Sequence, residues 1–363
     1  MSGKKRLAVI GIRGFPGVQG GVESHCMQLI SRLAANFNCV VYRRKPYLTA
    51  QSQTENLSGV QFRDLPSTRI GGFESLYHTF LCCMHLLFHR VDVVNVHNIG
   101  PGLFAPLLRI MGFKVVLTYH SPNYEHDKWS LPAKLMLRLC EKVSLSCSNR
   151  VIFVSQPQRD KYSQAVKRKS VAIPNGINPT GTDHGTDFLE KHNLRPGEYI
   201  LAVGRLTPEK GFDVLVRAVN ALDRPITLVI AGASDHGNDF EKQLRELDVR
   251  RRTVFTGFTT GAPLAQLYTH ARLYVLSSYA EGFPMVLLEA MSHQLPVVCT
   301  DIPATHIIPL PADRYAKRGD SDDLARVIEK ALAEGPERQS YPLGRYNWDN
   351  VTQATVQLYN SIL

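Results

Sequence analysis

Residues 272–291, RLYVLSSYAEGFPMVLLEAM, decide the fold. Their first part, RLYVLSSY (272–279), reads as a buried strand. A Gly-Phe-Pro turn follows, and then an apolar helix. Pro284 suits the first helical position, where its missing N–H costs nothing. Glu281 stands at the carboxyl end of the strand, and Glu289 is expected about two turns into the helix. Amides at a helix N-terminus bind anions. An anion cradle flanked by two carboxylates suits a ligand with a phosphate end and a hydroxyl-rich end. A nucleotide sugar is such a ligand.

Outward from this stretch the same strand–helix unit recurs. In the first half the expected strands are Arg6–Ile10, Cys39–Tyr42, Val91–His97, Lys114–His120 and Val151–Ser155. The helices between them are Glu23–Ala35, Phe73–His89, Leu103–Met111 and Lys134–Cys147. A Pro/Gly/Asp/His-rich stretch, Pro174–Gly197, reads as the hinge. The second half is expected to place strands at Tyr199–Val203, Ile226–Ala231, Thr253–Thr256, Leu273–Ser277 and Pro296–Thr300. Near-continuous apolar strands alternating with helices predict two α/β domains with doubly wound parallel sheets. In such sheets ligands bind beyond the carboxyl ends of the strands.

Three further motifs lie at those ends. The loop GIRGFPGVQGGVE (11–23) has five glycines, and Gly20-Gly21 open a helix whose amides could meet a phosphate. Its spacing does not fit the dinucleotide fingerprint Gly-x-Gly-x-x-Gly. The second strand ends in Tyr42-Arg43-Arg44 with no acidic residue for a ribose, which keeps an NADP-dependent Rossmann enzyme as an alternative. His120 closes the strand KVVLTYH, and His97 ends its neighbour, where a hydrogen-bonding cap is the simpler reading. In VGRLTPEKG (203–211), one loop, expected to be exposed, presents Arg205 and Lys210. Two cations can neutralise a leaving diphosphate without a metal.

These motifs together resemble the retaining glycosyltransferases of family 4, whose signature is Glu, seven residues, Glu. The match is sparse over residues 45–90 and strong from about 196 to 300. The resemblance implies the GT-B architecture: two facing Rossmann-like domains, here 1–176 and 177–345, with a C-terminal helix within 346–363 crossing back to the N-terminal domain. It implies that Arg205 and Lys210 stabilise the departing diphosphate and that Glu281 holds sugar hydroxyls. Gly282 and Phe283 would touch donor phosphate or sugar, and Glu289 the ribose. Gly20-Gly21 belong to the donor-diphosphate loop, His120 contacts the transferred sugar, and Phe258 and Thr259 lie beside the nucleobase. In NYEHDKW (123–129), Glu125 matches an acceptor-side segment. The chain departs from the family at Gln294, where glycine is usual, and at DIPATH (301–306). A non-hydrolysing nucleotide-sugar epimerase shares the architecture and is the other alternative.

Composition bounds the rest. The chain has 363 residues, 44% hydrophobic and 20% charged, as in globular proteins. A secretory signal and a membrane span are not apparent, and seven cysteines without a CxxC read as reduced thiols, so a cytoplasmic protein is expected. No Asp-x-Asp stands at a strand end and no His/Cys run has ligand spacing, so neither metal nor separate cofactor is expected. Residues 1–180 hold 23 Lys+Arg and 9 Asp+Glu, whereas the remainder nets −4. That asymmetry points to an anionic partner. An anionic membrane surface carrying a glycolipid acceptor is expected rather than nucleic acid, docked through Arg43-Arg44-Lys45 and the helix 73–89.

Overall fold

The computed structural model describes residues 3–363 except 55, 69, 71–72, 123, 125–129, 178–181, 235–238 and 336. Contacts divide the chain into two compact units, Met1–Gly176 with Tyr346–Leu363, and Ile177–Arg345. The first unit carries strands β1 Arg6–Ile10, β2 Asn38–Arg44, β3 Val60–Leu65, β4 Val93–His97, β5 Lys114–Tyr119, β6 Arg150–Phe153 and β7 Ser170–Ala172. Its helices in chain order are α1 Gly21–Leu33, α2 Ala50–Thr54, α3 Phe73–Phe88, α4 Ile99–Gly102, α5 Ala105–Ile110, α6 Leu131–Cys147, α7 Gln156–Asp160 and α8 Gln164–Arg168. The second unit has α9 Asp187–Lys191, β8 Tyr199–Val203, α10 Phe212–Ala221, β9 Thr227–Ala231, α11 Phe240–Leu247, β10 Thr253–Gly257, α12 Gly261–His270, β11 Leu273–Leu276, α13 Met285–Ser292, β12 Val297–Thr300, β13 Tyr315–Ala316 and α14 Ser321–Ala333. The last helix, α15 Trp348–Asn360, belongs to the first unit.

Both sheets are parallel, in the orders β3-β2-β1-β4-β5-β6-β7 and β10-β9-β8-β11-β12-β13. The doubly wound α/β reading therefore holds. Three strands escape the sequence pattern: β3, β7 and β13. All three lie at sheet edges, where burial on two faces is not needed. Along β3, half-buried and exposed positions alternate at first, so no apolar run marks it. The expected helix 103–111 is the shorter α5, with the separate short helix α4 before it, and the hinge stretch contains α9.

Two local departures have clear causes. Pro284 is the N-cap of α13, not its first residue, because its ψ of 83° is non-helical. Glu289 is consequently the fifth helical residue, just over one turn in rather than two. Gln294 lies beyond the end of that helix at φ 60°, the left-handed conformation that favours glycine. Its amide bonds to the Met291 carbonyl at 2.9 Å and the Leu295 amide to Ala290 at 3.1 Å. Here glutamine makes the turn that glycine usually makes.

α15 packs on α1 with Trp348 and Tyr359 buried. Gly176 lies so close that a Cβ there would stand 2.4 Å from the Trp348 ring. Asn95 of β4 donates to the Tyr359 hydroxyl at 2.7 Å and accepts from Thr118 at 2.9 Å, which ties the helix to the strands.

The basic run at the end of β2 is not a surface. Arg43 is 4% exposed; its guanidinium grips Asp64 bidentately at 2.7 and 2.9 Å and donates to the Phe15 and Ser52 carbonyls. It also stacks over Phe62 at 4.0 Å. Arg44 is equally buried and pairs with Glu74 at 3.2 Å. Neither is placed to meet a membrane, so the expected docking role is withdrawn for Arg43 and Arg44; of the run only Lys45 is exposed. Both cations are also committed to carboxylates and not to a cofactor phosphate, which removes the basis of the NADP alternative.

Candidate active site

In the second unit the fold joins two motifs that lie 71 residues apart. The turn after β8 carries Arg205, Glu209 and Lys210; the segment after β11 carries Ser278 and Glu281. Lys210 Nζ donates to Glu281 Oε1 at 2.6 Å, and the Ser278 hydroxyl donates to the same oxygen at 2.7 Å. The two loops are also stitched through the backbone. Ser277 Oγ donates to the Lys210 carbonyl at 3.0 Å, and the Tyr279 amide to that of Glu209 at 2.9 Å. Gly211 makes this approach possible: it has φ 63°, and a Cβ would sit 2.1 Å from the Ser277 carbonyl oxygen. The loop is therefore docked rather than exposed; Lys210 keeps 18% of its side-chain exposure and Glu281 9%. Arg205 is half-exposed, 4.0 Å from Glu209.

Glu289 projects from α13 toward α12, where the buried Tyr268 hydroxyl donates to its Oε2 at 3.0 Å. Burial raises the Glu289 carboxyl above the ordinary carboxylate range, and the Tyr268 hydrogen bond works against that. Gly282 and Phe283 are half-buried in the segment leading to α13. Thr259 is buried and its hydroxyl is used locally, at 3.0 Å from the Thr256 hydroxyl and 3.1 Å from the Gly257 carbonyl. Its side chain shapes the turn, while Phe258 beside it is exposed. Ser278, Glu209 and Tyr268 were not singled out in the sequence. Each lies in or near a recognised motif, but only the folded chain shows which carboxylate or backbone group it serves.

The first unit gathers histidines. His25 on α1, His97 at the end of β4 and His120 just after β5 bring ring nitrogens within 4.8 Å of one another. Sequence spacing could not show this trio, whose members come from three separate elements. His97 Nδ1 and His120 Nε2 are 2.9 Å apart, so one ring donates and the other accepts, and both are neutral. Burial pushes both well below the usual histidine value, and the neighbouring rings add to the shift. His25 is pushed down to about 4, again by burial, with Asn175 nearby working the other way though no hydrogen bond of normal geometry joins them. Three neutral imidazoles could ligate a metal. The His97–His120 pair is nevertheless satisfied by its own hydrogen bond.

Gly20 is the N-cap of α1 and Gly21 its first residue, as expected. The place a Gly20 side chain would fill is occupied by the Glu23 carboxylate, 2.0 Å from the ideal Cβ position. Glu23 also accepts the Arg13 amide at 3.1 Å. An anion of the chain itself thus already faces this helix end. Glu125 lies outside the described residues.

The buried trio predicts an acid-sensitive unit. His25 in the folded protein titrates below its unfolded value of about 6.5, so the unfolded chain binds more protons in between. Its contribution is complete above about pH 6.5 and is lost as pH falls toward 4. His25→Gln should make urea unfolding less sensitive to a drop from pH 7 to 5, by roughly 2 kcal/mol. An unaltered acid limb would mean that His25 is not held neutral.

Two parallel doubly wound domains match the architecture of GT-B glycosyltransferases. Residues 19–180 match the family described as Glycosyltransferase Family 4, and 186–342 that of Glycosyl transferases group 1. The chain belongs to the family 4 glycosyltransferases and is an enzyme of that type. It is 33% identical over 301 residues to the uncharacterized glycosyltransferase MJ1607 of Methanocaldococcus jannaschii, covering 74% of this chain and 75% of that protein. It is 26% identical over 256 residues to the O-antigen chain mannosyltransferase RfbU of Salmonella typhimurium, 68% of this chain and 69% of that one. Among solved structures it resembles the sucrose-phosphate synthase of Thermosynechococcus elongatus, with TM-score 0.83, 22% identity and 99% of both chains covered. Anabaena HepE in complex with UDP-glucose gives TM-score 0.78 at 18% identity, covering 98% and 100%. Among the described residues no helix is long and apolar enough to cross a membrane.

Proposed function

We propose that this enzyme moves one sugar, with retention, from a nucleoside diphosphate sugar to a hydroxyl of a lipid-linked glycan in surface polysaccharide or lipopolysaccharide synthesis. The Lys210–Glu281 pair carries the reading: a cation and an anion held 2.6 Å apart on two strand-end loops. On donor binding Lys210 exchanges Glu281 for the diphosphate, and Arg205 adds a bidentate grip. Glu281, still held by Ser278, is then available for sugar hydroxyls. Glu289 takes the ribose hydroxyls, and the 257–259 backbone lies beside the base. In the first unit His120, kept neutral, offers a hydrogen bond to a sugar hydroxyl without adding charge. Gly20 and Gly21 serve the donor loop and Glu125 the acceptor side.

The acceptor oxygen bonds to the anomeric carbon as the bond from that carbon to the phosphate oxygen breaks. The acceptor proton passes to the departing phosphate. Two carboxylates flanking the bond, as in a glycosidase, are not needed. A donor complexed with HepE and the O-antigen activity named for RfbU support the substrate classes.

The test is a thermal-shift panel of UDP, GDP, dTDP and ADP sugars in EDTA, since a ligand binding only the native state raises its melting point. One donor class should stand out without metal. Glu289→Gln should weaken free nucleoside diphosphate, whereas Glu281→Gln should lower turnover more than affinity. The reverse pattern would exchange the two roles. Binding that needs added manganese or magnesium would sink the two-cation reading.

A further inference from the structure

We propose that the outer surface of the α3–α5–α6 layer is a docking face for an anionic membrane leaflet. These helices follow β3, β4 and β5, and each crossover runs in the same direction along the sheet order. Right-handed crossovers therefore place all three on one face of the sheet. Contacts agree. Phe80 of α3 lies 6.5 Å from Phe104 just before α5, and Arg109 of α5 donates to the Cys147 carbonyl of α6 at 3.1 Å.

The outward side of such helices is ordinarily polar. Here it is apolar. Of the thirteen exposed large hydrophobic side chains among the described residues, nine stand on these three helices. On α6, Leu131, Leu135 and Leu139 recur every four residues and form one stripe. On α3, Phe73, Phe80 and Leu87 recur every seven and form another, ending in Phe88 at 84% exposure. Concentration on one face is the mark of an interaction surface.

Charge selects the occupant. Arg109, Arg138 and Lys142 are exposed on the same helices. The two carboxylates of these helices are tied down: Glu74 by Arg44 and Tyr47, and Glu141 by the hydroxyls of Tyr119 and Tyr162 at 2.6 and 2.7 Å. The free charge on the face is thus cationic. A second copy docking through the same patch would set cation against cation. Acyl chains bordered by anionic headgroups match both the leucine–phenylalanine stripes and the basic residues between them.

The full-length enzyme is sedimented with vesicles of phosphatidylcholine alone or mixed with phosphatidylglycerol. It should pellet with the mixed vesicles at low salt and release as the Debye length falls from about 30 to about 8 Å. Leu135→Glu with Leu139→Glu, and separately Arg138→Glu with Lys142→Glu, should each weaken binding at least tenfold. All four residues are exposed, so melting temperature and its shift with nucleoside diphosphate should be unchanged. That readout also keeps the transferase reading testable apart from this one. Equal binding to both vesicle types, binding to neither, or variants that pellet like the parent would overturn the proposal. So would a vesicle-free dimer that the leucine variant dissolves, which would assign the face to a second copy.

Discussion

Lys210→Ala and Arg205→Ala are each expected to lower turnover by roughly 100- to 1000-fold, the loss typical of removing a group that stabilises developing charge. The two should differ in one respect. Lys210 is locked in a 2.6 Å pair with Glu281 inside a docked loop, so its removal also leaves a mostly buried carboxylate with only the Ser278 hydroxyl. Arg205 is half-exposed, and its pairing with Glu209 is at the edge of ion-pair distance, 4.0 Å. Lys210→Ala should therefore lower the melting temperature as well as kcat, and Arg205→Ala, at a more exposed side chain, should lower it less. Steady-state kinetics beside calorimetry separates the effects. Near-normal kcat in both variants would remove the diphosphate assignment.

Arg43→Glu is expected to destabilise the first unit by about 3–5 kcal/mol, the range for breaking a buried ion pair. The side chain is 5% exposed and satisfies Asp64, two backbone carbonyls and an aromatic face at once. A carboxylate there would face Asp64 and leave both carbonyls without a donor. The melting temperature should fall by on the order of 10 °C, at 2–4 °C per kcal/mol for a unit of this size. Arg43→Lys should recover only part of the loss, because a point charge cannot grip a carboxylate bidentately. A soluble Arg43→Glu protein of unchanged melting temperature, altered only in vesicle binding, would restore the surface role.

The edge strands and the basic run show where sequence reading stops. Central strands are buried on both faces, so their composition alone marks them, and both sheets were legible in that way. Glu281, the Arg205–Lys210 turn and the glycine loop were legible because each lies just after a strand, where chemistry and backbone turn coincide, and Glu289 by its fixed spacing from Glu281. Arg43-Arg44 misled because a charged pair in sequence looks the same whether it meets water or a partner. Asp64 lies on the neighbouring strand β3 and Glu74 at the start of α3, so only strand pairing and helix packing bring them to the arginines. His25, His97 and His120 are likewise unconnected in sequence and adjacent in space.

By itself, the sequence determined two parallel α/β domains, the family, and the loops that bear the catalytic candidates. These are local properties: periodicity, apolar runs and turn residues act within a few positions along the chain. The tertiary structure decided which charges pair, which histidines lose theirs, and that α3 and α6 turn apolar sides outward. Those outcomes depend on groups brought together from distant positions, where burial and partner geometry, not residue type, set the energy of a charge.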